Sequence, residues 1–304
     1  MNIQTTTGGN RIGLFDSGVG GLSILRSLSQ RTRGLKFVYL GDTDRCPYGN
    51  RSAHEISTYV EEIISWMNTS AVDQIVMACN TSAAIAAPLA RRLSTVPVYD
   101  LITSSARFVA GRFKKIAVIA TNTTCKSHAF LKAINEIDSS SQVFELACPD
   151  LVPLVERGVL SGPEVDATIA KYVAQLKEFD LDCLIFGCTH FPFLEKAFRK
   201  ALGEKVSYVD PAVHLALDML GNTQAAVIST DKESLIRNTY FCTGDPEKFR
   251  IAAETCLELE PGSLKNSVCH FSSSEFSRTQ PDESMEAAHV NTVILKSPFF
   301  NRSI

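Results

Sequence analysis

The stretch DQIVMACNT (73–81) and its later counterpart DCLIFGCTH (182–190) decide the fold. In each, an aspartate is followed by an apolar run that ends six residues on in a cysteine, Cys79 or Cys188, and then in small polar residues. A short apolar run with polar boundaries reads as a buried strand, and such strands belong to parallel sheets covered by helices on both faces. Two further pairs keep the same order. RIGLFDSG (11–18) matches KIAVIATN (115–122) at an offset of 104, and KFVYLGD (36–42) matches QVFELAC (142–148) at 106, against 109 for the cysteine pair. One such pair is within chance resemblance between hydrophobic strands. Three in one order at a nearly constant offset imply two similar halves, 12 to about 99 and 115 to about 203.

Around these runs, short apolar segments alternate with longer amphipathic ones, the pattern of an α/β protein with mainly parallel sheets. Strands are expected at 12–15, 36–41, 74–79, 115–120, 143–147, 183–187, 206–209 and 239–242. Helices are expected at roughly 20–30, 53–68, 81–93, 104–111, 126–137, 163–178, 193–201, 211–220, 231–237 and 246–258. The layout that follows has two pseudo-symmetric three-layer α/β domains: 11–100 plus 204–262, and 101–203. From 263 the chain turns polar and Ser-rich, so 263–304 reads as a poorly ordered tail with a short apolar stretch at VILKSPFF.

A length of 304 residues exceeds that at which one core grows efficiently, in keeping with two domains. With 45% hydrophobic and 21% charged residues the chain is not a mostly disordered one. Thirty Lys+Arg against 33 Asp+Glu leave a net charge of -3, which recruits neither nucleic acid nor another polyanion. No run approaches the ~20 apolar residues needed to cross a bilayer, and MNIQTTTGGNR lacks a signal-peptide pattern, so no membrane partner and a cytoplasmic location are expected. The nine cysteines are odd in number, scattered and without C-x-x-C, which disfavours a disulfide framework and a zinc site. Each is then a small hydrophobe or a reagent.

Cys79 and Cys188 have the best claim to be reagents. Carboxyl ends of parallel strands are where open α/β sheets place ligands, so two matched ends in facing halves would put two thiols around one interdomain cleft. Asn80, Thr81 or Ser82 can cap the following helix, whose positive end would lower the Cys79 pKa. For Cys188, His190 supplies a titratable neighbour. The first strand ends in Asp16 and Ser17 before a helix, a compact site for a carboxylate or an amino group. The following GVGG lacks the full G-x-G-x-x-G spacing and is a weak nucleotide signal. Cys46-Pro47-Tyr48-Gly49-Asn50 forms a rigid turn able to lend the Tyr48 hydroxyl and Gly49 N–H to a ligand. The histidines follow no metal-ligand spacing, and no metal is expected.

Taken together these residues resemble the glutamate racemases, cofactor-independent enzymes that supply D-glutamate for peptidoglycan. The resemblance rests on GLFDSGVGGLSIL (13–25), YLGDTDRCPYGNRS (39–52), VMACNTSAA (76–84), IAVIATNTT (116–124), ACPDLVPLVERG (147–158), LIFGCTHFPFL (184–194) and VDPA (209–212). It implies two α/β domains with the active site between them, and no cofactor. Cys79 would take the α-proton from D-glutamate and Cys188 from L-glutamate, with Asp16 assisting near Cys79, and His190 with Glu156 near Cys188. Ser17, Tyr48, Gly49, Asn80, Thr81, Thr124 and Thr189 would hold the amino and carboxylate groups, and a homodimer is the expected assembly. Phe191, Ser82 and the tail depart from the pattern without touching the acid and base. Racemisation of aspartate, a non-catalytic amino-acid-binding module and a thiol redox protein are the competing readings.

Overall fold

A computed structural model describes residues 11–31, 34–220 and 232–278. The described strands, all paired in parallel, are β1 (Arg11–Asp16), β2 (Lys36–Gly41), β3 (Gln74–Met77), β4 (Val98–Asp100), β5 (Lys115–Ala120), β6 (Gln142–Ala147), β7 (Cys183–Gly187), β8 (Ser207–Val209), β9 (Thr239–Cys242) and β10 (Val268–His270). They form a six-stranded sheet, β10-β9-β2-β1-β3-β4, and a four-stranded sheet, β6-β5-β7-β8. The runs β2-β1-β3-β4 and β6-β5-β7-β8 have the same order, so the internal repeat is a repeat of topology.

The fourth strand of the second run moves one boundary. β8 pairs with β7 in the second sheet, so that sheet reaches Val209 and does not stop at 203. Its fourfold pattern explains this: β8 occupies the place of β4, 109 residues earlier by the offset of the cysteine pair. A second boundary also moves. β10 pairs with β9, and Leu264, Phe271 and Phe276 are buried, so the first sheet continues past 262. Three-residue strands and single aromatic anchors leave too little periodicity to be read from sequence. The tail beyond 278, VILKSPFF included, lies outside the described residues.

The repeated aspartates are structural. Asp73 accepts from the Arg11 N–H at 2.8 Å, and Asp182 from the Lys114 and Lys115 N–H groups at 3.1 and 2.9 Å, tying each third strand to the start of its neighbour. Asp100 and Asp210 cap the helices Leu101–Val109 and Pro211–Met219, and these two helices pack on each other between the halves. Strand alternation sends Phe15, Met77, Ile116, Val118 and Ile185 into one shared core, so the two sheets are docked through common apolar packing. Two helices differ from expectation. The 126–137 segment breaks at His128, which has a left-handed φ of 54°, and Leu151–Glu156, six residues containing Pro153, is too short for a helical period to show.

Candidate active site

The carboxyl ends of β1, β2 and β3 face those of β5 and β7 across the junction of the halves. Ser17, Pro47, Tyr48, Gly49, Cys79, Asn80, Thr81, Thr121, Val152, Cys188, Thr189 and His190 line the cavity between them. The space between these residues, part of it open to solvent, is about 290 Å³, and about 20 Å³ of it can take the centre of a water molecule. That is room for one or two waters, so an amino acid enters only with some opening of the halves. Both thiols reach this one cavity, as their matched strand ends require.

On one side, the Cys188 Sγ lies 3.7 Å from His190 Nδ1, and His190 Nε2 lies 2.5 Å from Glu156 Oε1. Burial works against a charged imidazole here, but the Cys188 and Glu156 contacts outweigh it and hold His190 well above its ordinary range. Glu156 is correspondingly lowered despite its burial, because it faces that imidazolium. The His190 ring thus lies between the Cys188 sulfur and the Glu156 carboxylate.

The other side is built differently. Cys79 Sγ is 3.9 Å from the Ser17 hydroxyl, and burial together with the Asp16 charge pushes the thiol up to about 12. The helix after it begins at Asn80 with Cys79 itself as N-cap and no side-chain cap bond; Ser82 donates back to the Cys79 carbonyl. The dipole effect expected from sequence is therefore overridden by desolvation, and Cys79 rests as a thiol. Asp16 is fully buried and raised to about 6 by that burial, even though His190, the Gly18 N–H at 2.6 Å and the Thr189 hydroxyl at 3.1 Å stabilise its charge.

Contacts across the cleft lace the halves together. Thr189 of the second half donates to Asp16 of the first, and the Thr81 hydroxyl lies 3.0 and 3.1 Å from those of Thr121 and Thr124. Thr123 donates to the Gly49 carbonyl at 2.9 Å, and a methyl built on Gly49 would lie 2.7 Å from Thr121. The charged groups thus gather on the β1–β7 side, while the β3–β5 side is neutral hydroxyls.

Of the residues read from sequence, Ser17, Tyr48, Gly49, Cys79, Asn80, Thr81, Cys188, Thr189 and His190 line the cavity, with Asp16, Glu156 and Thr124 directly behind. Tyr48 presents its ring and not its hydroxyl, which donates to the buried Asp42; Arg45 and Thr243 bind the same carboxylate. A buried hydroxyl beside a buried carboxylate turns toward it. Asn80 is the converse case, a buried amide with neither its nitrogen nor its oxygen partnered. Sequence reading missed Thr121, Pro47 and Val152 as walls. Thr121 was within reach, since the repeat places it opposite Ser17. Among the described residues no group of three or more His, Cys, Asp or Glu side chains could hold a metal, and no helix is long and apolar enough to cross a membrane.

Two related α/β halves with thiols at matched strand ends, opening on one buried polar cavity, define an enzyme of the amino-acid racemase type. The chain belongs to the Asp/Glu/Hydantoin racemase family, whose model matches residues 12–219. It is 41% identical over 250 residues to a glutamate racemase of Gloeobacter violaceus, covering 82% of this chain and 93% of that one. A glutamate racemase isoform from Bacillus anthracis superposes with a TM-score of 0.77 at 32% identity, over 87% of this chain and 98% of that one. The Francisella tularensis glutamate racemase in complex with D-glutamate gives 0.75 at 28% identity, over 86% and 98%. The family resemblance drawn from the motifs is borne out.

Proposed function

We propose that the chain interconverts L- and D-glutamate without a cofactor, using Cys79 and Cys188 as the two proton-transfer groups on opposite faces of the substrate. The observation that carries this reading is the pair of thiols in one cavity, one beside an imidazolium and the other held as a neutral thiol. The thiolate of Cys188 removes the α-proton of L-glutamate, and Cys79 delivers its own proton to the other face, which inverts the centre. The reverse reaction starts from the exchanged protonation state. Without an electron-sink cofactor the α-carbanion can delocalise only into its own carboxylate, so that developing charge must be stabilised by hydrogen bonds in a water-excluded site. Asn80, whose amide is free, and the Thr81 hydroxyl are the donors for the substrate carboxylates.

D-Glutamate made this way is a peptidoglycan precursor, and with nine free thiols among the described residues the enzyme suits a reducing cytoplasm. We further expect a homodimer, with no nucleic-acid or membrane partner. Purified protein given L-glutamate and no cofactor should yield D-glutamate by chiral chromatography, with aspartate turned over far more slowly. Cys79→Ser and Cys188→Ser should each abolish racemisation; near wild-type turnover by either variant would refute the two-base assignment. In deuterated water, product should acquire α-deuterium before substrate does, and equal early labelling would point to a single base.

A further inference from the structure

The glycines after Asp16 fit no nucleotide site, and the geometry offers them other work. We propose that Gly20 is a positioning residue: by lacking a side chain it seats Thr189 and His190, and so aligns the acid–base groups of both cysteines at once. This deepens the two-base reading above and rests on it.

A methyl built on Gly20 would lie 2.9 Å from His190 Nδ1 and 3.0 Å from its Cε1, and closer still to Thr189 Oγ1. These are functional atoms: His190 Nδ1 faces the Cys188 sulfur, and Thr189 Oγ1 bonds Asp16. Gly20 has no left-handed φ, so its requirement is space alone. Nor can its backbone retreat. The Gly20 carbonyl accepts from the Ser23 N–H at 3.1 Å and the Ser23 hydroxyl at 2.9 Å, and the Gly18 carbonyl accepts from Tyr39 at 2.9 Å. On the other side, a methyl on Gly21 would lie 2.7 Å from the Ala78 Cβ, so that residue is also pressed against the sheet. With the loop pinned on both sides, a side chain at 20 can be accommodated only by moving Thr189 and His190. Either shift alters one thiol's partner, and the two are neighbours in the chain.

The test is Gly20→Ala beside Gly13→Ala, whose methyl would crowd Met67 Sδ at 2.7 Å in the core away from the cleft. Gly20→Ala should lower kcat in both directions by ~100-fold, as for a reacting group misplaced by about 1 Å. Its isotope effects with α-deuterated L- and D-glutamate should rise, because proton transfer becomes more fully rate-limiting. Gly13→Ala should lower the thermal midpoint and leave kcat and both isotope effects near wild type. A readout independent of glutamate is alkylation of Cys188 by iodoacetamide, followed by peptide mapping. Its rate at a fixed pH should differ from wild type in Gly20→Ala and not in Gly13→Ala, since His190 Nδ1 no longer sits 3.7 Å from the sulfur. If the wild type leaves glutamate untouched, the functional reading fails while the alkylation rate still decides the seating of His190. Wild-type kinetics and alkylation in Gly20→Ala would overturn the proposal. So would a Gly20→Ala chain that does not fold where Gly13→Ala does, because the residue would then serve the fold.

Discussion

Replacing Asp16 by asparagine should make the protein more stable while stopping turnover. The carboxyl is fully buried, and burial raises its pKa from 3.8 to about 6. A folded state that binds a proton more tightly than the unfolded chain loses stability as pH rises through the window between those values. Integrated, the charged form costs ~3 kcal/mol at pH 8 and about half of that at pH 5, and nothing well below pH 3.8. The asparagine amide keeps the shape and the contacts: its oxygen accepts from the Gly18 N–H, and its nitrogen donates to the Thr189 hydroxyl, which can accept as readily as donate. Asp16→Asn should therefore gain ~3 kcal/mol at pH 8 but only ~1.5 kcal/mol at pH 5. Urea unfolding reports this through Trp66, the only tryptophan, which is buried edge-on to Phe241 at 5.3 Å. A gain independent of pH, or a loss at pH 8, would refute the argument that desolvation of Asp16 dominates.

In Glu156→Gln the carboxylate that helps to hold His190 protonated is lost, so the high-pH limb of kcat/KM should move to lower pH. The rate should fall ~10–100-fold, the worth of one charge-assisted hydrogen bond, and a pH–rate profile unchanged from wild type would sink the Glu156–His190 coupling. Asn80→Ala should raise KM for glutamate ~10-fold or more with no loss of thermal stability, because the amide makes no hydrogen bond within the protein. Asp182→Ala should cost about 1–2 kcal/mol in denaturant unfolding and leave kcat unchanged, since its carboxylate serves two backbone N–H groups far from the cleft.

The strand-end position of Cys79 and Cys188 was legible because both local pattern and internal repetition point to it. The same repetition also shows how the site departs from symmetry: His190 stands where the first half has Thr81, and Ala120 where it has Asp16. What the pattern could not show is protonation. The helix start after Cys79 suggests a lowered thiol pKa, yet the opposite holds, because desolvation depends on what the other half buries. The Tyr48 hydroxyl was misread for a related reason. Asp42 and Arg45 sit in the same loop as Tyr48, but Asp42 is buried beside Thr243, which only the pairing of β2 with β9 brings there.

By itself, then, the sequence determined the α/β class, the duplication and the two thiols, since strand and helix periods and their repetition are local properties of a chain. Tertiary structure alone decided that β8 joins the second sheet, that Thr189 reaches across to Asp16, and that Gly20 is bare because His190 lies against it. The first depends on which sheet edge a short strand joins, which its own period does not specify; the other two depend on how the halves dock, and contacts between residues more than a hundred positions apart leave no periodic trace in the chain.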